Sequence, residues 1–239
     1  MLTFSNFKKF RDYLMSEAAM SPLLRRAKYN PRTGNIEQIY NQMLPTFHQI
    51  KGKFEKIIKK NLDNKTRGNV KFYTNIKPLE SLKDKVENRG KKFEEIGDIV
   101  RGALLFDTKD QADEFVSKFY RKNGGMVKDI DQKDKGQDPE YGYYGSHHLD
   151  LQIDGLTVEL QLMTKKLWTY KSAAHDIYSQ NRSKEGAPSA QDTYTSKKLF
   201  SMGNRGKFKP NKKRLGEEVD LPPFEGWELF EEVDLTIDF

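Results

Sequence analysis

The stretch Val158-Glu159-Leu160-Gln161-Leu162-Met163-Thr164 alternates apolar and polar side chains with the period of a β-strand. Alternation puts Glu159 and Gln161 on one face and Val158, Leu160 and Leu162 on the other. A carboxylate in an otherwise apolar strand is costly to bury without a partner, so the polar pair is expected to face a cleft and the apolar set a core. Just upstream, Asp154-Gly155 reads as a two-residue hairpin turn, with a strand at 146 to 152 running into it and one at 156 to 162 leaving it. Further strands are predicted at 70 to 74 and 99 to 106. Helical spacing marks 78 to 90, 109 to 122 (Ala112, Phe115, Val116, Phe119) and 164 to 179 (Leu167, Tyr170, Ala174, Ile177). Strands interleaved with helices predict an α/β (α+β) fold, a mixed sheet flanked by helices.

Outside this block the chain changes character. From Ile36 to Ile58 apolar residues recur at three- and four-residue steps, interrupted by Pro45 and Gly52, which predicts two helices or one kinked helix. Phe7, Phe10 and Leu14 give residues 1 to 20 an amphipathic helical stripe, either a docking helix or a leader. Residues 182 to 214 are polar and basic, whereas Glu217 to Phe239 holds no Lys or Arg, so the acidic tail is expected to lie on a basic surface. The expected organisation is a leader or docking helix at 1–20, a helical extension at 21–66, a catalytic domain at 67–181 and a basic-then-acidic extension at 182–239.

Composition narrows the chemistry. The 239 residues are 36% hydrophobic and 12% aromatic, enough for one folded core, and 32% charged with a mean hydropathy of -0.85. Without cysteine there are no disulfides, thiolate nucleophiles or sulfur-bound zinc, and hard-cation chemistry with Mg2+ fits the carboxylates and four histidines best. A net charge of +7 points to a polyanionic partner, nucleotide phosphates or RNA. No apolar run approaches the roughly 20 residues that span a bilayer, and the N-terminus lacks the features of a secretory signal, so no membrane partner and a cytoplasmic location are expected. An oligomer is compatible with the sequence but not derivable from it.

Phosphoryl-type transfer requires metal ions between phosphates, cations on the non-bridging oxygens, a base near the attacking hydroxyl, and planar groups for the bases. Residues 75 to 178 contain all four. Asp98 precedes the strand 99 to 106, and on neighbouring strands Asp98 and Glu159 are expected to share one magnesium ion. Lys77, Ser81 and Lys85 are spaced to line one face of a helix N-terminus, which suits a triphosphate.

Five blocks in order carry a resemblance to the synthetase domain of RelA/SpoT proteins. They are Lys77 to Lys85, Glu95 to Gly102, Tyr141 to His147, Val158 to Thr164, and Ala173 to Tyr178, over somewhat under half the chain. The resemblance implies that Lys77, Ser81 and Lys85 hold the ATP phosphates and that Asp98 takes metal. It also implies that Tyr143 of the family's G-Y-x-x-x-H segment stacks on the acceptor base, with His147 supporting it. Glu159 would bind metal or receive the hydroxyl proton, and His175 would be structural. Arg101 is expected on the ATP side. Lys128, Lys135, Tyr143, His147 and Gln161 are expected on the acceptor side, along a charged loop that also holds Lys133 and Asp138. Where the family usually carries arginines, this chain has Asn75, Ala103 and Met163.

The expected function is therefore that of a stand-alone pyrophosphokinase: the 3'-hydroxyl of GDP or GTP attacks the β-phosphate of ATP, AMP leaves, and a guanosine tetra- or pentaphosphate forms. One alternative keeps the chemistry and changes the acceptor to tRNA 3' ends or adenine nucleotides, as in toxin members of the class. Another is a catalytically silent, phage-packaged nucleic-acid-binding protein, since Met1 to Ala18 resembles the capsid-targeting leaders of tailed phages that are cut after a Glu. Packaging in a virion and delivery to a host cytoplasm would be compatible with either. The acidic tail is a candidate for covering the basic site and restraining it.

Overall fold

A computed structural model describes residues 35–91, 93–182, 188–205, 231–233 and 235. The leader-like segment at 1–20, the basic residues 206–214 and most of the acidic tail lie outside these residues. Ile36, Ile39, Met43, Phe47, Ile50, Phe54 and Ile58 are all buried along one stripe, and they form a single helix, α1 (Ile36–Asn61), that runs through Pro45 and Gly52. Burying each of these side chains is worth about 1.5–3 kcal/mol, together far more than the roughly 3 kcal/mol that an internal proline costs, so of the two expected arrangements the single helix forms. Asn35 caps the helix by accepting from the Glu37 N–H at 2.9 Å.

A short helix α2 (Asn64–Arg67) leads into β1 (Lys71–Ile76), followed by α3 (Leu79–Lys83), which continues as a π-helical turn over Asp84–Asn88. Then come β2 (Val100–Phe106), α4 (Lys109–Asn123), β3 (Val127–Gln132), β4 (His147–Ile153), β5 (Leu156–Thr164), α5 (Lys165–Arg182), α6 (Ala190–Asn204) and the two-residue β6 (Glu231–Glu232). The sheet order is β3-β4-β5-β2-β1-β6. Only β2 and β5 run parallel; the other neighbours are antiparallel. The mixed sheet flanked by helices is as expected, and Asp154 and Gly155, both at positive φ, make the β4–β5 turn.

Besides the short α2 and β6, two longer elements escaped the sequence reading. Strand β3 has no apolar alternation, because Lys128, Asp129 and Ile130 are exposed at the sheet edge. Helix α6 lies in the polar stretch after residue 182, with a weak stripe of which Ser196, Phe200 and Gly203 are buried.

The sheet has two unlike faces. On one, Phe72, Val100, Leu104, Phe106, Leu149, Leu151, Val158, Leu160 and Leu162 join α1 and α4 in the main core. On the other, Ala103, Leu105 and Met163 pack against Leu167, Ala174 and Phe200 of α5 and α6, leaving the remainder of that face polar. Part of the acidic tail does dock: β6 pairs with β1, Lys71 meets Glu232 at 3.4 Å, and Leu235 is buried in the main core.

Close approach of α1 to β2 requires a glycine. A Cβ on Gly102 would lie 2.7 Å from Phe54 Cε1 and 3.0 Å from Phe72 Cε2, both rings being fully buried. Gly102→Ala is expected to destabilise the protein by about 1–3 kcal/mol through overpacking, read as a lower urea midpoint with unchanged slope.

Candidate active site

The parallel register of β2 and β5 puts Arg101 beside Glu159, and the antiparallel registers add Asn75 next to Arg101 and Asp150 next to Glu159, all on the polar face. Arg101 Nε donates to Asn75 Oδ1 at 2.9 Å, and the guanidinium is attracted by both Asp98 and Glu159. Asn75 is buried, and among the described residues its amide nitrogen has no hydrogen-bond partner. The two carboxylates foreseen for catalysis therefore flank one arginine.

On the Asp98 side, Lys77 Nζ lies 2.9 Å from Oδ2, and Lys85 Nζ lies 2.7 Å from each carboxylate oxygen. Lys77 follows β1, where its N–H bonds Ile99 O at 2.7 Å, while Lys85 reaches in from the π-helical turn. Burial opposes ionisation of Asp98, but Lys77 and Lys85 outweigh it and hold the carboxyl below its ordinary value. Burial and then Arg101 push Lys77 down, against Asp98. Ser81 is exposed on α3 and is not brought into this cluster.

On the Glu159 side, Gln161 Nε2 donates to Oε2 at 2.7 Å and His148 Nδ1 lies 3.3 Å from Oε1. His148 Nε2 is 3.0 Å from the Tyr143 hydroxyl, which is 2.6 Å from Ser146 Oγ. A neutral imidazole protonated at Nδ1 satisfies both contacts, and burial pushes His148 down, toward the neutral form. Burial resists the charge on Glu159, yet hydrogen bonds from His148 and Gln161 and the charge of Lys171 hold it well below the usual carboxylate range.

His147 is a correction. Successive strand residues face opposite ways, so His147 lies on the core side, buried, with Nε2 2.5 Å from Asp113 of α4, and it is His148 that meets the site. The doubled Tyr143-Tyr144 and His147-His148 satisfy the same four-residue spacing in either frame, and only strand alternation separates them. Lys128 and Lys135 are exposed, on β3 and in the following loop. From that loop it is Lys133 whose charge reaches Lys171 and His148.

Beside Glu159 a pocket of about 200 Å³ is lined by Asp138, Tyr141, Tyr143, Lys171, Ala174, His175, Tyr178 and Phe200. Lys171, Ala174, His175 and Tyr178 fall at helical spacing, so one face of α5 forms a wall. Helix α6 closes the other side, with Phe200 5.0 Å from the Tyr143 ring and Ser196 Oγ donating to Tyr141 O at 2.8 Å. Lys171 Nζ donates to Gln161 Oε1 at 2.5 Å and lies 4.9 Å from the Tyr143 ring centre. Burial, then Arg101 and Lys133, bring Lys171 down to about 8 against the pull of Glu159. Burial and the nearby charges of Lys171, Arg101 and Lys77 bring His175 down to about 4, leaving it neutral near pH 7. Lys171, His175 and Tyr178 thus face the pocket, although α5 reads from sequence as a packing helix. The signal was Lys171 itself, a cation between Leu167 and Ala174 on a packed helix.

Ala103 and Met163, which stand where the RelA/SpoT resemblance implies arginines, are buried under α5 and α6. Among the described residues no group of three or more potential ligands is preassembled for a metal. The donor set still fits magnesium, which is commonly held by one or two carboxylates with water and substrate phosphates completing its shell.

No protein-family model and no curated protein match the chain. Solved structures do match in fold. Small alarmone synthetase 1 from Bacillus subtilis, bound to its product pppGpp, aligns over 69% of this chain and 90% of its own, with a TM-score of 0.51 and 17% identity. Small alarmone synthetase 2 from the same organism aligns over 65% and 88%, with a TM-score of 0.51 and 15% identity. A GTP pyrophosphokinase family protein from Streptococcus pneumoniae aligns over 70% and 86%, with a TM-score of 0.50 and 17% identity. The chain has the fold of the RelA/SpoT-like alarmone synthetases. Among the described residues no helix is long and apolar enough to cross a bilayer.

Two outcomes test the site's geometry. His148→Ala is expected to lower turnover at least 10-fold by freeing Glu159 and Tyr143, whereas His147→Ala should lower thermal stability and leave turnover within about 3-fold. Asp98 has a depressed folded-state pKa, so its contribution to stability is present above its ordinary value of 3.8 and lost as pH falls through the lower folded value. Acid titration of stability should accordingly show a smaller loss below pH 3.8 in Asp98→Asn than in the parent protein.

Proposed function

We propose that the protein is a diphosphotransferase that moves the β,γ-diphosphate of ATP to the ribose 3'-hydroxyl of a guanine nucleotide, releasing AMP. The observation that carries this reading is the row of charge across the polar face: Lys77 and Lys85 around Asp98, then Arg101, then Glu159 beside an aromatic pocket. Its first half suits a triphosphate and its second half a nucleoside. The B. subtilis relative, described as bound to its product pppGpp, supports the same assignment for a chain of this fold.

In this reading Lys77 and Lys85 transfer their contacts from Asp98 to the phosphate oxygens, and Arg101 faces the diphosphate as it passes between the carboxylates. Magnesium, held by Asp98 and Glu159, would supply charge neutralisation on the phosphates. Tyr141, Tyr143 and Tyr178 wall the acceptor base, and Glu159, kept ionised, orients the attacking hydroxyl. The hydroxyl oxygen forms a bond to the β-phosphorus, the bond from that phosphorus to the α–β bridging oxygen breaks, and the hydroxyl proton leaves with solvent or a phosphate oxygen. Such transfers depend mainly on positioning and charge rather than on a strong base, which suits a carboxylate with a depressed pKa.

Labelled ATP is incubated with GDP, GTP, ADP or tRNA, and the products are separated. AMP release with GDP or GTP is expected, and Lys85→Met and Glu159→Gln should each reduce it about 100-fold or more. Transfer to ADP or tRNA alone would replace the acceptor while keeping the chemistry, and a tRNA acceptor would make the rate fall steeply with salt. Absence of AMP with every acceptor would overturn the reading in favour of a silent nucleic-acid-binding protein.

A further inference from the structure

Lys171 belongs to none of the sequence blocks that point to the site, and nothing in the packing of α5 calls for a cation. Its helix neighbours Leu167 and Ala174 are buried in the apolar cluster that holds α5 on the sheet. A lysine pointed inward from such a helix is costly unless its ammonium meets specific partners, and a methionine would fill the same space without that cost.

The partners are specific. Gln161 is fixed at both ends, donating through Nε2 to Glu159 Oε2 at 2.7 Å and accepting through Oε1 from Lys171 Nζ at 2.5 Å. This amide links the carboxylate to an ammonium that lines the pocket, and each charge acts on the other. An ammonium has three donors. Gln161 takes one, and the Tyr143 ring lies 4.9 Å from the nitrogen, while Lys171 also lines the pocket.

A donor-only cation beside an acceptor-only carboxylate is complementary to a small group that both accepts and donates, which is a hydroxyl. A phosphate at this point would be repelled by Glu159, and the flat aromatic walls formed by Tyr141, Tyr143 and Tyr178 suit the base rather than the sugar. We infer that Lys171 and Glu159 together grip the acceptor's ribose 3'-hydroxyl, Lys171 donating to its oxygen and Glu159 accepting its hydrogen. Lys171 is then a nucleophile-positioning residue: it fixes the oxygen's direction, and its charge favours the oxygen as the proton departs. The inference rests on the nucleotide-acceptor reading above, and its test reads binding rather than turnover.

Calorimetry compares GDP with 3'-deoxy-GDP, and ADP with 3'-deoxy-ADP, on the parent protein and on Lys171→Met, Lys171→Gln and Lys171→Arg. The parent should bind the 3'-hydroxyl form of its preferred nucleotide roughly 10-fold more tightly, the size expected for a hydrogen bond to a charged group. Lys171→Met and Lys171→Gln should lose most of that preference while binding the 3'-deoxy form as the parent does, and Lys171→Arg should retain part of it. Two neutral variants are used so that one that fails to fold leaves the comparison intact. A preference unchanged in the neutral variants, an equal loss for both forms, or no binding of any nucleotide would overturn the inference. If AMP release is absent but the hydroxyl preference follows Lys171, the diphosphotransferase reading fails alone; if AMP is released and the preference ignores Lys171, only this inference fails.

Discussion

Parallel pairing of β2 with β5 sets Arg101 directly beside Glu159, and the close approach of α1 at Gly102 presses these strands onto one core. The polar face consequently carries an ordered series of charges, Asp98, Arg101 and Glu159, with each carboxylate stabilised by its own cations and hydrogen bonds. Burying these groups is tolerable only because they satisfy one another, so the site is a single electrostatic unit rather than a set of independent residues. Ammonium groups stand at both ends of that unit, Lys77 and Lys85 at one, Lys171 and Lys133 at the other, where Lys133 also meets Asp131.

The two ends differ in what they can hold. Around Asp98 stand the ammonium groups of Lys77 and Lys85, surroundings suited to phosphate. Around the pocket the walls are Tyr141, Tyr143, Tyr178 and Phe200, with Asp138 and Lys171 as the charged groups, a surroundings suited to a base and sugar. Helix α6 is part of that second end, since it pins the loop before β4 through Ser196 to Tyr141 O and Asn204 to Tyr144 O. Its presence also explains the apolar residues at positions 103 and 163, which pack beneath the α5–α6 layer where a guanidinium would have no solvent.

The acidic tail contributes to the fold at the far edge. Glu231 and Glu232 pair with β1, and Leu235 enters the main core, so this part of the tail covers a sheet edge that would otherwise expose unpaired backbone groups. Lys71, on the same strand as Asn75, is the basic partner it meets. The contact lies on the strand that leads into Lys77.

The amino-acid sequence by itself determined the strand carrying Glu159, the Asp154-Gly155 hairpin and the mixed sheet flanked by helices, because periodicity and turn chemistry are local properties. It could not decide between His147 and His148 or reveal β3, whose outward face carries little apolar pattern, and the apolar stripe around Pro45 left the continuity of α1 open. Those were settled by tertiary structure: strand alternation relative to one particular core chose the histidine, burial along the sheet carried α1 through its proline, and the packing of α5 across β5 turned Lys171 inward to Gln161. Which face a side chain occupies, and what stands opposite it, depends on partners far away in the chain, and no local pattern contains that information.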